Sequence, residues 1–327
     1  MTYFAAARSP HGAWVEFQSA DLTELEDNVL AAVAYGPGLK CTDQRVIHVG
    51  LRASAGDPPI EVWRANGPVE QGINGVIRYA TNHELLFGTV EVDECDHGGL
   101  VGASEAAYRA ISDFLARRRE RHLLRMWNYF GSINEGEGDD ERYKLFCLGR
   151  SRGLSWLPQE RFPAGTAVGR RDRATRLQVC WLSACQPGQP VENPRQTKAY
   201  RYPRQYGPAP PSFCRAIVAP SGQLMISGTA SIVGSQSCHP GSLQDQIAET
   251  RRNLRHLLEP SALMPIGASR RRSPGLWIVK AYLRDLDAAA SVREALVQEF
   301  AGTEQVLLLE ADICRAELLV EVECLGG

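Results

Sequence analysis

Leu318-Leu319-Val320-Glu321-Val322-Glu323, close to the end of the sequence, alternates in the manner of a β-strand. Successive side chains of a strand point to opposite faces. Leu319, Glu321 and Glu323 therefore share one face, and Val320 and Val322 share the other. Cys314 stands a few residues upstream. Two readings are open. Glu is rarely buried, which favours an edge strand with both carboxylates in water. If they are buried, each costs several kcal/mol unless paired, and that cost invites a functional explanation.

Upstream of this strand the pattern is regular. Arg215 to Val218 and Leu224 to Ser227 form a hairpin across the turn Pro220-Ser221-Gly222-Gln223. Gln244 to Leu258 is an amphipathic helix, with Ile247, Leu254, Leu257 and Leu258 on one face and Asp245, Glu249, Arg252 and Arg255 between them. Leu276 to Leu283 is an apolar strand. Ala289 to Phe300 is a second helix, with Ser291 or Asp287 as its cap. Glu304 to Glu310 is a strand before the closing one. The order β-β-α-β-α-β-β describes an α+β fold, a mixed sheet with helices on one face.

Pro and Gly punctuate Ser183 to Pro211, beginning with Gln186-Pro187-Gly188-Gln189-Pro190. A two-domain chain is expected, divided near Gln189 into residues 1–188 and 189–327. The first half repeats the second in weaker form. Ala103 to Arg119 is a helix, Leu124 to Tyr129 a strand, Tyr143 to Leu154 a helical segment, and Ala167-Val168 and Arg176 to Leu182 are strands. Laying Val179-Cys180-Trp181-Leu182 beside Val322-Glu323-Cys324-Leu325 sets Gln178 opposite Glu321. A duplication would account for this, and so would chance. Before residue 100 no site is legible, only strand-like runs such as Arg45 to Leu51.

The chain has 327 residues and a formal charge of -2, enough for one or two domains with a sizeable core. Near-neutral charge argues against nucleic acid as a partner. The runs Arg117-Arg118-Arg119 and Arg270-Arg271-Arg272 are short and read as solvated. No apolar run reaches the roughly 18 residues of a membrane span. Met1-Thr2-Tyr3-Phe4-Ala5-Ala6-Ala7-Arg8 lacks the pattern of a signal peptide. The nine cysteines are scattered without a Cys-x-x-Cys pair, which suggests reduced thiols and a cytoplasmic location. The seven histidines show no ligand spacing, so neither a metal nor a cofactor is expected.

Several of these features together resemble the YjgF/RidA family. They are Gly207-Pro208, the hairpin ending Ile226-Ser227-Gly228, the helix from Gln244, Ile278-Val279-Lys280-Ala281-Tyr282-Leu283-Arg284-Asp285-Leu286 and the terminal Val320-Glu321-Val322-Glu323. A longer resemblance covers nearly the whole chain. Arg142-Tyr143-Lys144-Leu145-Phe146-Cys147-Leu148-Gly149-Arg150, Asn193-Pro194-Arg195-Gln196, Tyr200-Arg201-Tyr202-Pro203-Arg204-Gln205-Tyr206-Gly207-Pro208, Ser227-Gly228-Thr229-Ala230-Ser231 and Cys314 through Glu321 look like the chorismatases. These are chorismate-cleaving enzymes with a RidA-like C-terminal domain. The resemblance implies that residues 189–327 are a RidA-like catalytic domain, with residues 1–188 a candidate degenerate copy. It implies a catalytic acid at Glu321 and a product-determining pair at Gly228 and Cys314. Chorismatases with Gly and Cys there resemble 3-hydroxybenzoate synthases. Those with Ala at both release a dihydroxycyclohexadiene carboxylate.

Chorismate is a dianion, and Arg supplies charged, bidentate forks for carboxylates. Arg201, Arg204 and Arg215 lie close to the interdomain linker, with Tyr200, Tyr202 and Tyr206 among them. Arg150 is expected to reach the same cleft from the first domain, and Arg142 and Tyr143 are weaker candidates. The enol ether is cleaved by protonating its methylene carbon, which calls for a carboxyl with a raised pKa. Glu321, flanked by apolar residues, fits, and Glu323 is the alternative acid. Cys314 is expected beside the ring hydroxyl, with Gly228 leaving room for the ring; without the resemblance Cys314 would read as a small buried apolar residue. The expected reaction is cleavage to 3-hydroxybenzoate and pyruvate. The alternatives are the non-aromatic diol, a mixture of 3- and 4-hydroxybenzoate, or a non-catalytic RidA-like binding protein. A RidA-type imine deaminase uses an Arg on the penultimate strand, and Glu294 to Cys314 contains no Arg or Lys. RidA proteins are trimers, and a duplicated chain would satisfy such interfaces internally.

Overall fold

The computed structural model describes residues 12–19, 22–36, 41–172, 174–259, 277–300 and 305–326. Met1 to Arg8, the Arg270-Arg271-Arg272 run, Leu276 and Glu304 lie outside the described residues. The chain begins with β1 (Trp14–Gln18), β2 (Val29–Tyr35), β3 (Val46–Val49), β4 (Arg52–Ala53) and β5 (Ile60–Arg64). Next come β6 (Glu70–Asn74), β7 (Ile77–Thr81), β8 (Leu85–Asp93), α1 (Leu100–Leu115), β9 (His122–Gly131), α2 (Arg142–Gly153), β10 (Ala164–Arg170) and β11 (Arg176–Ala184). The last part holds β12 (Gln189–Val191), β13 (Ala216–Val218), β14 (Leu224–Ala230), β15 (Ile232–Val233), β16 (Gln236–Ser237) and α3 (Leu243–Leu258). It ends with β17 (Ile278–Leu283), α4 (Ala289–Glu299), β18 (Gln305–Glu310) and β19 (Val320–Gly326).

The fold is α+β, as the alternation of periods predicts. Ser242 caps α3 by accepting from Asp245 N, and the helix buries Leu254 and Leu257 against the sheet. Neither expected cap starts α4. Asp285 accepts from Asp287 N to cap the 3-10 turn before it, while the Ser291 hydroxyl donates back to Ala288 O.

Three sheets share one pattern of pairing. The six-stranded sheet runs β10-β9-β11-β8-β7-β6, and the seven-stranded sheet runs β18-β17-β19-β14-β13-β12 with β4 added beyond β18. Among the described strands of each, the only parallel pair joins the first two of that order. The four-stranded sheet, β3-β2-β5-β1, reproduces the first four positions with its own parallel pair, β2 and β3. Gln178 lies in register with Tyr129 as Glu321 does with Tyr282, so the equivalence read from the sequence holds in the strand ladders.

Helices α1 and α2 cover one face of the six-stranded sheet, and α3 and α4 one face of the seven-stranded sheet. The uncovered faces of all three sheets meet in a common core that holds Trp63, Trp127, Tyr129, Met225, Tyr282 and Leu309. Trp63 and Trp127 meet edge to face at 5.3 Å.

One open reading is decided and one expectation corrected. β19 is an interior strand, hydrogen-bonded to β14 on one side and β17 on the other, so Glu321 and Glu323 are buried and not on a solvated edge. Alternation cannot reveal this, because it reports the faces of a strand and not what lies along its edges. The first 100 residues also contribute to buried chemistry. Lys280 Nζ lies 2.6 Å from Glu61 and 2.9 Å from Glu323, and Tyr35 OH donates to Glu61 at 2.6 Å. Arg125 pairs with Glu323 at 2.8 Å. The two carboxylates and two cations compensate one another, which makes their burial tolerable.

Candidate functional site

β10 is the edge strand of its sheet. Ala164 and Gly169 are bridged to Cys214 and Asp312, and between those bridges Gly165, Thr166 and Ala167 face a cavity of about 390 Å³. Its opposite wall is β14 and β19. There Ile226 opposes Cys324 and Thr229 opposes Val322, so β14 carries one extra residue, a bulge at Ser227-Gly228 that re-aims the local backbone. Freed from β19, Gly228 N donates to Thr166 Oγ1 at 3.1 Å, and the Ser227 hydroxyl accepts from Gly165 N at 2.8 Å. The bulge thus ties the two sheets together at the cavity wall.

Glu321 and Glu323 share a face but not an environment. Glu323 accepts from Arg125, Trp127, Thr166, Tyr282 and Lys280. Burial raises its pKa, but the Lys280 and Arg125 charges and these hydrogen bonds outweigh it and bring the carboxyl down to about 2. Glu321 lines the cavity. Burial and the neighbouring Glu323 charge push it up to about 8, against weaker opposition from Arg125 and Arg215. It is the protonated carboxyl of the pair at neutral pH. Gly228 makes its position possible, since a Cβ there would stand 1.8 Å from Glu321 Oε1. Room for the carboxyl, as much as room for a ligand, requires glycine at this point.

Cys314 also lines the cavity, with its thiol pushed up by burial and by the Glu321 charge. Tyr143 projects into the cavity from α2, and burial raises its phenol well above the ordinary range. Arg150 is buried and lies over the Tyr108 ring at 5.1 Å. Its Nε has no hydrogen-bond partner. Arg215 is buried too and donates to Tyr202 OH at 2.7 Å and Thr197 O at 2.8 Å, with Nε unpartnered. Among the described residues neither guanidinium has a carboxylate within ion-pair distance. Two buried cations of this kind, facing one cavity, suit an anionic ligand.

Of the residues singled out in the sequence, the cavity brings together Glu321, Cys314, Gly228, Tyr206, Arg215, Arg150 and Tyr143. Arg201 and Arg204 stand outside it. Arg201 is exposed, and Arg204 forms an exposed pair with Asp139, Nη1 to Oδ1 at 2.8 Å. Tyr200 turns inward against Phe162 at 5.8 Å. Arg142 joins Glu94 in a bidentate pair at 2.6 and 2.9 Å rather than the adjacent Glu141. Two 3-10 turns, Ala199–Arg201 and Arg204–Tyr206, explain this sorting, because they aim Tyr202, Gln205 and Tyr206 at the cavity. Sequence reasoning passed over Arg315. Its guanidinium lies over the Tyr206 ring at 4.1 Å and donates to Ser235 O at 2.9 Å. Its place beside Cys314 was the available signal.

Residues 61–183 match the family model described as "Chorismatase FkbO/Hyg5-like, N-terminal". A 3-hydroxybenzoate synthase of Streptomyces hygroscopicus is 33% identical over 290 residues, covering 85% of this chain and 84% of the relative. A chorismatase of Streptomyces rapamycinicus is 34% identical over 277 residues, 80% of each. Among solved structures, a crystal structure of chorismatase superposes with a TM-score of 0.86 at 29% identity, covering 97% of this chain and 98% of that one.

Proposed function

The chain belongs to the chorismatase family, and from that premise we propose that it cleaves chorismate to 3-hydroxybenzoate and pyruvate. The observation that carries this reading is Glu321, a carboxyl held protonated to about pH 8 in a cavity walled by two buried cations that lack carboxylate partners, Arg150 and Arg215. An acid beside a dianion site is what enol-ether cleavage requires. The relative that is a 3-hydroxybenzoate synthase supports the choice of product.

In this mechanism Arg150 and Arg215 receive the two substrate carboxylates, with Tyr143 and Tyr206 forming the walls. Glu321 protonates the methylene carbon of the enolpyruvyl group and leaves an oxocarbenium ion at the ether carbon. A positioned general acid typically supplies roughly 10²–10⁴-fold in rate. The ring hydroxyl oxygen attacks the ring carbon that bears the ether, the bond from that carbon to the ether oxygen breaks, and pyruvate leaves with the ether oxygen as its carbonyl. Aromatisation releases a ring proton, which returns Glu321 to its acid form. The two products together have the composition of chorismate, so no water is consumed. Cys314 packs where water would otherwise meet the reacting centre. Gly228 lets the Glu321 carboxyl lie flat against β14. Glu323, saturated with donors and low in pKa, holds its charge and keeps that of Glu321 from forming.

Residues 189–327 are the catalytic unit on this reading and residues 1–188 supply the facing wall. The pairing of β12 into the seven-stranded sheet from Gln189 onward supports the division. The nine free cysteines support a cytoplasmic enzyme. Purified protein incubated with chorismate should release pyruvate and one aromatic acid in equal amounts, measured by a coupled assay and chromatography. Chorismate recovered intact would refute the function. Pyruvate released with a non-aromatic diol would refute the choice of product.

A further inference from the structure

We propose that Arg284 is a positioning residue for product selection, its guanidinium holding the turn that carries Cys314 against the cavity. The inference rests on the reading of Cys314 as the residue that shields the reacting centre. Arg284 follows β17 and does not line the cavity, yet its side chain enters the loop between β18 and β19. Nε donates to Leu318 O at 2.6 Å and Nη1 to Asp312 Oδ1 at 2.8 Å. Nη2 reaches Asn134 Oδ1 at 2.8 Å, Ile313 O at 3.1 Å and Arg315 O at 2.9 Å. The carbonyls immediately before and after Cys314 are thus bound by one guanidinium group. Asn134, in the turn after β9, adds a second anchor, donating to Ile313 O at 3.0 Å.

The geometry suits Arg and no other side chain. A guanidinium presents five N–H donors in a planar fork, whereas an ammonium presents three on a freely rotating stem. Without the fork, the turn keeps the Asn134 bond to Ile313 O, a 3.1 Å bond from Leu318 N to Arg315 O, the bonds of Gln246 Nε2 to Glu317 O and of Arg315 Nη1 to Ser235 O, and the bridge between Asp312 and Gly169, so fewer donors fix the backbone on either side of Cys314. The Cys314 side chain then loses its fixed distance from Glu321. Water entering beside it attacks the oxocarbenium carbon and gives up a proton. The resulting hemiketal collapses to pyruvate and the ring alcohol. One water is consumed and the ring stays non-aromatic.

The test uses the full chain carrying Arg284→Lys, with chorismate as substrate and hydrogen exchange of residues 312–318 followed on the protein alone. The variant should unfold at the wild-type urea midpoint to within a few tenths of a molar. It should exchange faster in this turn and raise the fraction of dihydroxycyclohexadiene carboxylate severalfold. In a Cys314→Ala background the same substitution should add nothing further, because its effect passes through that residue. Asn134→Ala, which removes one anchor and leaves the Asp312 pair, should shift exchange and product in the same direction by less. It carries the test if Arg284→Lys fails to fold. With a wild type that does release pyruvate, a product ratio unchanged in Arg284→Lys, or a shift that persists in full without Cys314, overturns the proposal alone. No pyruvate from the wild type overturns the chorismatase reading and this proposal together.

Discussion

Glu321→Gln separates a catalytic acid from an ordinary buried residue because it should stabilise the protein while stopping the reaction. The folded protein keeps the Glu321 proton to about pH 8, against an ordinary value of 4.5. Below pH 4.5 both folded and unfolded chains hold the proton, and Glu321 costs nothing by this route. As the pH rises from 4.5 to 8 the unfolded chain releases the proton and the folded chain does not. Stability therefore falls by about 1.4 kcal/mol per pH unit. The full difference is about 5 kcal/mol, and roughly 2–5 kcal/mol once water in the cavity screens the charge. Gln has no proton to lose. Urea unfolding at pH 5, 7 and 9 should show a stability gap in favour of Glu321→Gln that opens with pH and levels off above 8. Pyruvate release should fall by roughly 10²–10⁴-fold below pH 8, where the wild-type acid holds its proton. A gap that is constant from pH 5 to 9 would refute the raised pKa. Retention of turnover would refute the role of Glu321 even with the gap present.

Wild-type kcat/KM should decline as the pH rises through about 8, when the acid loses its proton in the free enzyme; a flat profile to pH 9.5 would contradict this. Gly228→Ala places a Cβ 1.8 Å from Glu321 Oε1, and the carboxyl must rotate away. Because the obstacle is the end of a flexible side chain, the thermal midpoint should change little while the rate of pyruvate release drops at least tenfold. Arg150→Met removes a buried cation that has no carboxylate partner, so KM for chorismate should rise roughly 10- to 100-fold, the worth of a charged hydrogen bond. The unliganded variant should be no less stable in urea. Lys280→Met is the opposite case: it strands Glu61 and Glu323 without their shared cation and should cost about 3–5 kcal/mol of stability in the same measurement.

What was legible in the sequence was what local periodicity encodes. The stripe of Leu254 and Leu257 located α3, and five strands of the last sheet were found to within a few residues, while β12 and β4 were not. The raised carboxyl of Glu321 was expected from its apolar neighbours, but the interior place of its strand was not legible, because it depends on β14 and β17 reaching β19 from distant parts of the chain. The Arg/Tyr loop was read as a single group of ligands by proximity. Its 3-10 turns divide it, so Tyr202 and Tyr206 line the cavity while Arg204 pairs outward with Asp139. Glu61 gave no signal of its own, since only tertiary packing brings Lys280 to it. Gly228 carried a signal that was misassigned in part. Glycine on a strand marks a bulge or close approach, and the approaching group in the unliganded protein is the acid itself.

The shared strand order of the three sheets shows why the acid occurs once. The β14–β19 pair meets the edge of β10 at the cavity, and direct hydrogen bonds span the two other junctions between sheets. Between the six- and four-stranded sheets the place of Glu321 is taken by Gln178, whose amide donates to Glu91 at 3.0 Å and to His48 O at 3.1 Å. An uncharged side chain stands there with no proton to hold. Between the four- and seven-stranded sheets β4 pairs along β18, reinforced by Arg52 and Glu310 at 2.9 Å, and Phe17 N donates to Gln305 Oε1 at 3.2 Å. The edge of β10 lines the cavity between its two bridges, and that is where the bulge of β14, the raised carboxyl of Glu321 and the partnerless arginines converge. A carboxyl kept neutral against its ordinary pKa costs several kcal/mol at working pH. That cost, borne in one cleft, is compatible with the stability of a single domain-sized core; borne in three, it would consume most of it.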